Sequence, residues 1–176
     1  MATSNHPVRS AETTPPTRGS LRLRLAEHPG RDRLDGGWWP RTRDLALELA
    51  GLVNNFPPEL GRIVRVRVSP PDWDATPRRI PVGSRSVKVD ASSLGDTHVV
   101  YLTTSLRTML SLLVVPSGFT QGQGEEALLA AATAGNTHAA PELLHEVTDH
   151  PDADPLDRWT GDDAREAADR RALERW

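Results

Sequence analysis

Cysteine is missing from this 176-residue chain, which excludes disulfides, thiolate nucleophiles, iron–sulfur clusters and every zinc site built on Cys ligands. Long apolar runs are missing as well. The longest, around Leu112–Val115, falls far short of the ~18–20 residues that span a bilayer. Met1–Ser20 is Thr, Ser, Pro and Arg without an apolar segment, so it does not read as a secretory signal, and a cytoplasmic protein without membrane contact is expected. Lysine is nearly absent, Lys88 being the one among 21 basic residues; genome composition explains such a bias, which points to no function. Nor is there a G-x-S-x-G serine elbow. Apolar residues make up 37% of the chain, so part of it must lie outside any packed core.

Charge divides the chain. Met1–His138 holds 16 basic and 13 acidic residues, a net +3, whereas Ala139–Trp176 holds 5 basic and 11 acidic, a net −6. Together with the Pro-rich end of the first segment, Pro15-Pro16-Thr17-Arg18-Gly19, this predicts a flexible arm over 1–19, one domain over 20–136 and an acidic, partly helical tail over 137–176.

Within that domain Leu21-Arg22-Leu23-Arg24-Leu25 and Val64-Arg65-Val66-Arg67-Val68 alternate with period two, the mark of strands with one wet face. His28–Gly37 reads as a loop. Pro40 suits a first helical position, and Leu45, Leu49, Leu52, Val53 and Phe56 make an apolar helical stripe ended by Pro57-Pro58. Arg79–Val82 and Ser86–Val89 flank Gly83 as a hairpin whose first arm, with Pro81, belongs at an edge. His98–Thr103 and Thr108–Val115 lack clean alternation, as central strands do. A Gly-rich loop, Gly118–Gly124, leads to a helix over Glu125–Ala134. Beyond it, Pro141–Thr148 predicts a short helix, and Thr160-Gly161-Asp162-Asp163 resembles the start of a last one. The expected fold class is α+β: a mostly antiparallel sheet of about five or six strands with two packed helices.

Three patterns carry little chemistry. Gly122-Gln123-Gly124-Glu125-Glu126-Ala127 matches a dinucleotide-binding spacing, but two glutamates in the first turn would repel a pyrophosphate. His145 and His150 are one residue too far apart for an H-E-x-x-H helix, and no metal or cofactor is expected. Asp72 and Asp74 flank Trp73 in what reads as a turn. A fourth pattern is conditional. If the alternating strands adjoin, Arg22, Arg24, Arg65, Arg67 and Lys88 form one cationic face that can engage a phosphate backbone. No aromatic residues interleave with them to stack bases.

The densest signal is Asp35-Gly36-Gly37-Trp38-Trp39-Pro40-Arg41-Thr42-Arg43-Asp44-Leu45. Two adjacent Trp residues entering a helix point to different sides, one toward the core and one toward a groove. Trp73, Arg78, Arg79 and His98 are the other groups expected near that groove. This run, with Pro77-Arg78-Arg79, Thr97-His98-Val99, Leu112-Leu113-Val114-Val115-Pro116 and Gly135-Asn136, resembles the actinobacterial family described as domain of unknown function 5994, over about Leu21–Asn136. That family has a Gly-rich stretch where this chain reads Asp90-Ala91-Ser92-Ser93. The resemblance implies a small cytoplasmic protein and brings no activity with it. From the residues themselves the leading expectation is a non-catalytic binding or regulatory module. Its ligand set is Trp38, Trp39, Arg41, Trp73, Arg78, Arg79 and His98, and its partner a small anionic ligand or another protein. The alternatives are an enzyme with His98 as acid/base and Arg78 or Arg79 holding an anionic substrate, and a nucleic-acid binder using the arginine face.

Overall fold

The computed structural model describes residues 19–93 and 96–149; the arm before Gly19 and the helix expected over 160–176 lie outside the described residues. Among the described residues seven strands form one sheet: β1 Leu23–Leu25, β2 Gly36–Trp38, β3 Ile63–Val68, β4 Arg79–Val82, β5 Arg85–Ala91, β6 Val99–Thr104 and β7 Met109–Val114. Their order across it is β1-β2-β7-β6-β3-β5-β4. The β1/β2, β6/β7, β3/β6 and β4/β5 pairs are antiparallel, whereas β2/β7 and β3/β5 are parallel. The sheet is thus mixed, with more strands than the expected five or six.

The strand not anticipated is β2, which falls in the segment read as loop and helix approach. Gly-Gly-Trp offers neither alternation nor β-branched residues, so nothing local announces a strand. It forms because β1 folds back on it and β7 pairs along its other side. Gly36 is required there: its φ is +145°, and a Cβ would stand 2.2 Å from the Arg24 carbonyl oxygen across the β1/β2 pair. Asp35, buried just before β2, accepts from the backbone N–H of Gly30 and of Ser111. One side chain thereby ties the β1/β2 connection to β7.

Among the described residues three α-helices cover the sheet, one more than expected. Helix α1, Leu45–Asn54, starts at its cap Asp44, whose side chain accepts from the Leu47 N–H. The start therefore lies after the 40–43 segment and not at Pro40. Its stripe Leu45, Leu49 and Leu52 is fully buried and joins Val66, Val68, Ile80, Val87, Val89, Val100, Leu102, Leu110 and Leu112 in one core layer. On the other face lie α2, Gln121–Ala132, and α3, Ala140–Asp149. There Trp39, Leu113, Val115, Ala127, Ala130 and Ala131 pack with Leu143 and Val147. Helix α2 begins four residues earlier than the sequence suggested, because Thr120 and Gln123 form a reciprocal capping box. The G-x-G-x-x-A pattern is consequently helix, and its Gly124 is a packing seat: a Cβ there would stand 2.3 Å from the Trp39 ring. The period-3.6 residues Ala140, Leu143, Leu144 and Val147 bury α3 against this layer.

Candidate functional site

Trp38 closes β2, and its side chain falls on the α1 face, 1% exposed, stacked on Trp73 with ring centroids 5.4 Å apart and tilted 31°. Trp39, one residue on, turns to the α2 face. It is 3% exposed, and its Nε1–H donates to the Pro116 carbonyl over 3.1 Å. Arg22, beside the end of β1, caps Trp39 from outside. Its guanidinium carbon lies 3.6 Å from the ring centroid, and its Nε and Nη2 donate to the carbonyls of Trp39 and Pro40.

Between this corner and α1 opens a cleft of about 310 Å³. Leu21, Trp38, Trp39 and Leu47 give it apolar walls, Arg22, Arg41 and Glu48 supply charge, and Gly51 and Asn54 of α1 with its C-cap Asn55 form the far side. A Cβ on Gly51 would meet nothing within 4 Å, so this mid-helix glycine leaves the space open at the helical cost of roughly 1 kcal/mol against Ala. Burial first, and then the Arg41 guanidinium, push Arg22 below the ordinary arginine value, with Glu48 opposing. Glu48 is itself engaged: its Oε1 accepts from the Thr42 N–H and hydroxyl. Arg41 donates to the Ser20 carbonyl at 3.3 Å.

A second cleft, about 220 Å³, lies across the same 40–43 segment. Pro40, Thr42, Arg43, Asp72, His98, Val114, Val115, Pro116, Ser117 and Gly118 line it. His98 has a left-handed backbone, φ +62°, a conformation costing roughly 1–3 kcal/mol for a non-glycine residue unless its surroundings impose it. They do so here. Asp72, its side chain 3% exposed, accepts the His98 backbone N–H at 2.9 Å and stands 3.1 Å from the imidazole Nδ1, while the His98 carbonyl accepts from the Val114 N–H. Burial raises the Asp72 carboxyl above the usual range, opposed by His98 through charge and through that backbone bond, and by Arg43.

Of the seven sequence-selected residues, Trp38, Trp39 and Arg41 line the first cleft and His98 lines the second. Trp73 is core, 5% exposed, and its Nε1 has no hydrogen-bond partner among the described residues. Arg78 and Arg79 are exposed at the start of β4, the far edge of the sheet from β1, and line neither cleft. An enzyme in which either of them steadies a substrate for His98 therefore has no support in this arrangement. The cationic face also divides: Arg65 pairs across to Lys88 on adjacent strands, but β2, β7 and β6 separate β1, with Arg22 and Arg24, from β3. Asp90 further offsets that half, with its carboxylate oxygens 3.2 Å from Arg65 Nε and 3.8 Å from Lys88 Nζ. Sequence reading put Arg22 on the cationic sheet face and not in a cleft, and it missed Glu48 and the α1 wall, although Leu47, Gly51, Asn54 and Asn55 fall at helical spacing along one stripe. It noticed Asp72 without its partner, 26 positions away. Among the described residues no group of three or more His, Asp or Glu is placed to hold a metal ion.

A seven-stranded mixed α+β sheet, with helices on both faces and two clefts flanking a Trp-Trp-Pro corner, is the class of molecule this sequence makes. Over residues 22–131 the chain matches the Family of unknown function (DUF5994), and it belongs to that family. No curated protein and no solved structure matches it. Among the described residues no helix is long and apolar enough to cross a membrane.

Proposed function

We propose that the protein is a ligand-binding module whose α1 cleft takes a small molecule with an anionic head and an apolar body. The observation carrying this reading is the pair Arg22 and Arg41, two guanidiniums sharing one half-enclosed space with a single carboxylate, Glu48, already committed to Thr42. Like charges near each other disfavour one another, and an anion bound between them is attracted by both. Arg22 keeps Nη1 free for such a contact, since its described bonds use Nε and Nη2. The walls of Leu21, Trp38 and Leu47 fit an alkyl or aryl body, and clefts of this mixed character are the usual form of small-molecule sites.

The test is calorimetric titration of the full chain with octanoate, octanol and acetate. Octanoate is expected to bind more tightly than either of the others, because only it satisfies both wall and guanidiniums. Arg41→Ala is expected to weaken octanoate about tenfold or more, as loss of a charge-assisted contact does. Gly51→Leu, which fills the open side of the cleft, is expected to abolish binding while the fold is retained. Equal affinity for octanoate in all three proteins would reject the reading.

A further inference from the structure

We propose that Asp72 and His98 form an acid–base pair for hydrolysis of small neutral esters in the second cleft, an activity independent of the anion reading of the α1 cleft. The geometry is that of a positioned imidazole. His98 is fixed at its backbone N–H by Asp72 and at its carbonyl by Val114, and Asp72 also meets Nδ1 at 3.1 Å. With Nδ1–H directed to a carboxylate, the proton-accepting lone pair is on Nε2. No hydrogen bond or ion pair occupies Nε2 among the described residues. The imidazole is 37% exposed and borders a cavity large enough for a small acyl group beside Val114, Val115 and Pro116.

The charges argue for a neutral substrate. The groups facing His98 are Asp72, from the turn after β3, and Arg43, from the segment before α1. Arg43 has its charge met by Asp74, Nε to Oδ1 at 3.0 Å, and donates through Nη2 to the Pro71 carbonyl. Among the described residues no uncommitted cation lines this cleft to hold an anion. The 116–118 loop adds polarity without charge: the backbone N–H groups of Ser117 and Gly118 have no partner among the described residues. Both residues line the cleft beside His98.

In the step proposed, a water oxygen bonds to the acyl carbon as His98 Nε2 takes its proton, and the carbonyl π electrons move onto oxygen. Collapse of this tetrahedral species breaks the bond to the leaving oxygen, which takes the proton back from Nε2. The products are a carboxylic acid and an alcohol, with His98 returned to its neutral form. Asp72 is a positioning residue: it holds the tautomer and balances the imidazolium.

The probe is p-nitrophenyl butyrate with the full chain, comparing wild type, His98→Gln, Asp72→Asn and, as a surface-histidine control, His145→Gln, whose imidazole is 77% exposed on α3. Expected are a rate about 100-fold above that of His98→Gln and a wild-type rate for His145→Gln. In Asp72→Asn, kcat falls and KM holds, the split expected when a positioning residue is lost. A His98→Gln rate equal to wild type, or an equal loss in His145→Gln, overturns the proposal. Long-range proton–nitrogen NMR of the unaltered protein at pH 8 provides a check free of folding effects. The proton on Nδ1 and none on Nε2 supports it, and the reverse tautomer overturns it.

Discussion

Arg22 closes over Trp39 with its guanidinium carbon 3.6 Å from the ring centroid while donating to the carbonyls of Trp39 and Pro40. A stacked cation and two hydrogen bonds from one side chain fix the corner where β1, β2 and α2 meet. Arg22→Ala is therefore expected to cost about 2–4 kcal/mol, combining two hydrogen bonds with a cation–π contact. Arg22→Lys keeps the charge but loses the planar fork, and about half of that loss is expected. Urea denaturation of both variants measures this; a loss as large for Lys as for Ala would show that the planar fork alone matters, and no loss for Lys would show that charge alone does.

Two glycines two residues apart in α2 are expected to respond with opposite signs. A Cβ on Gly122 meets nothing within 4 Å, whereas one on Gly124 would run into the Trp39 ring at 2.3 Å. Gly122→Ala is expected to stabilise by roughly 0.5–1 kcal/mol through helix propensity. Gly124→Ala is expected to destabilise by about 1–3 kcal/mol, because the ring it displaces is packed between Arg22 and the helix. Thermal melts of the two variants decide it, and a stabilised Gly124→Ala would mean that Trp39 is free to move.

How far the sequence revealed these features depended on whether the determining contacts were local. The stripe of α1 and the alternation of β3 reflect positions three to four and two apart, so both were legible. Strand β2 was not, since Gly36 and Gly37 become a strand only by pairing with partners on either side. The start of α2 was obscured by two glycines of poor helix propensity, although the Thr120/Gln123 cap was present in the letters. The Trp38-Trp39-Arg41 corner was readable because those residues are contiguous. Arg78 and Arg79 were placed beside it in expectation, yet strand order puts them at the opposite edge. The Asp72–His98 pair depends on the path between β3 and β6, which no local pattern encodes.

The raised Asp72 carboxyl makes a signed prediction for stability. In the interval between the ordinary value of 3.8 and the raised folded value, the unfolded chain has released the Asp72 proton and the folded chain still holds it. Stability contributed by Asp72 is therefore greatest below that interval and falls as pH rises through it. Compared with Asp72→Asn, which does not titrate, the wild type is expected to lose relative stability as pH is raised from about 3 toward 7. Paired denaturation curves across that range test it; a wild type gaining relative stability over the same range would mean that the His98 contacts outweigh burial.

The anion-binding reading of the α1 cleft is tested most directly by amide and side-chain NMR shifts of the full chain during octanoate titration. The account predicts shifts confined to the cleft, at Leu47, Gly51, Asn54 and the Arg22 and Arg41 guanidinium signals, weakened by added salt and lost in Arg41→Ala. Shifts that survive in Arg41→Ala, or that gather instead around His98 and Ser117, would contradict it.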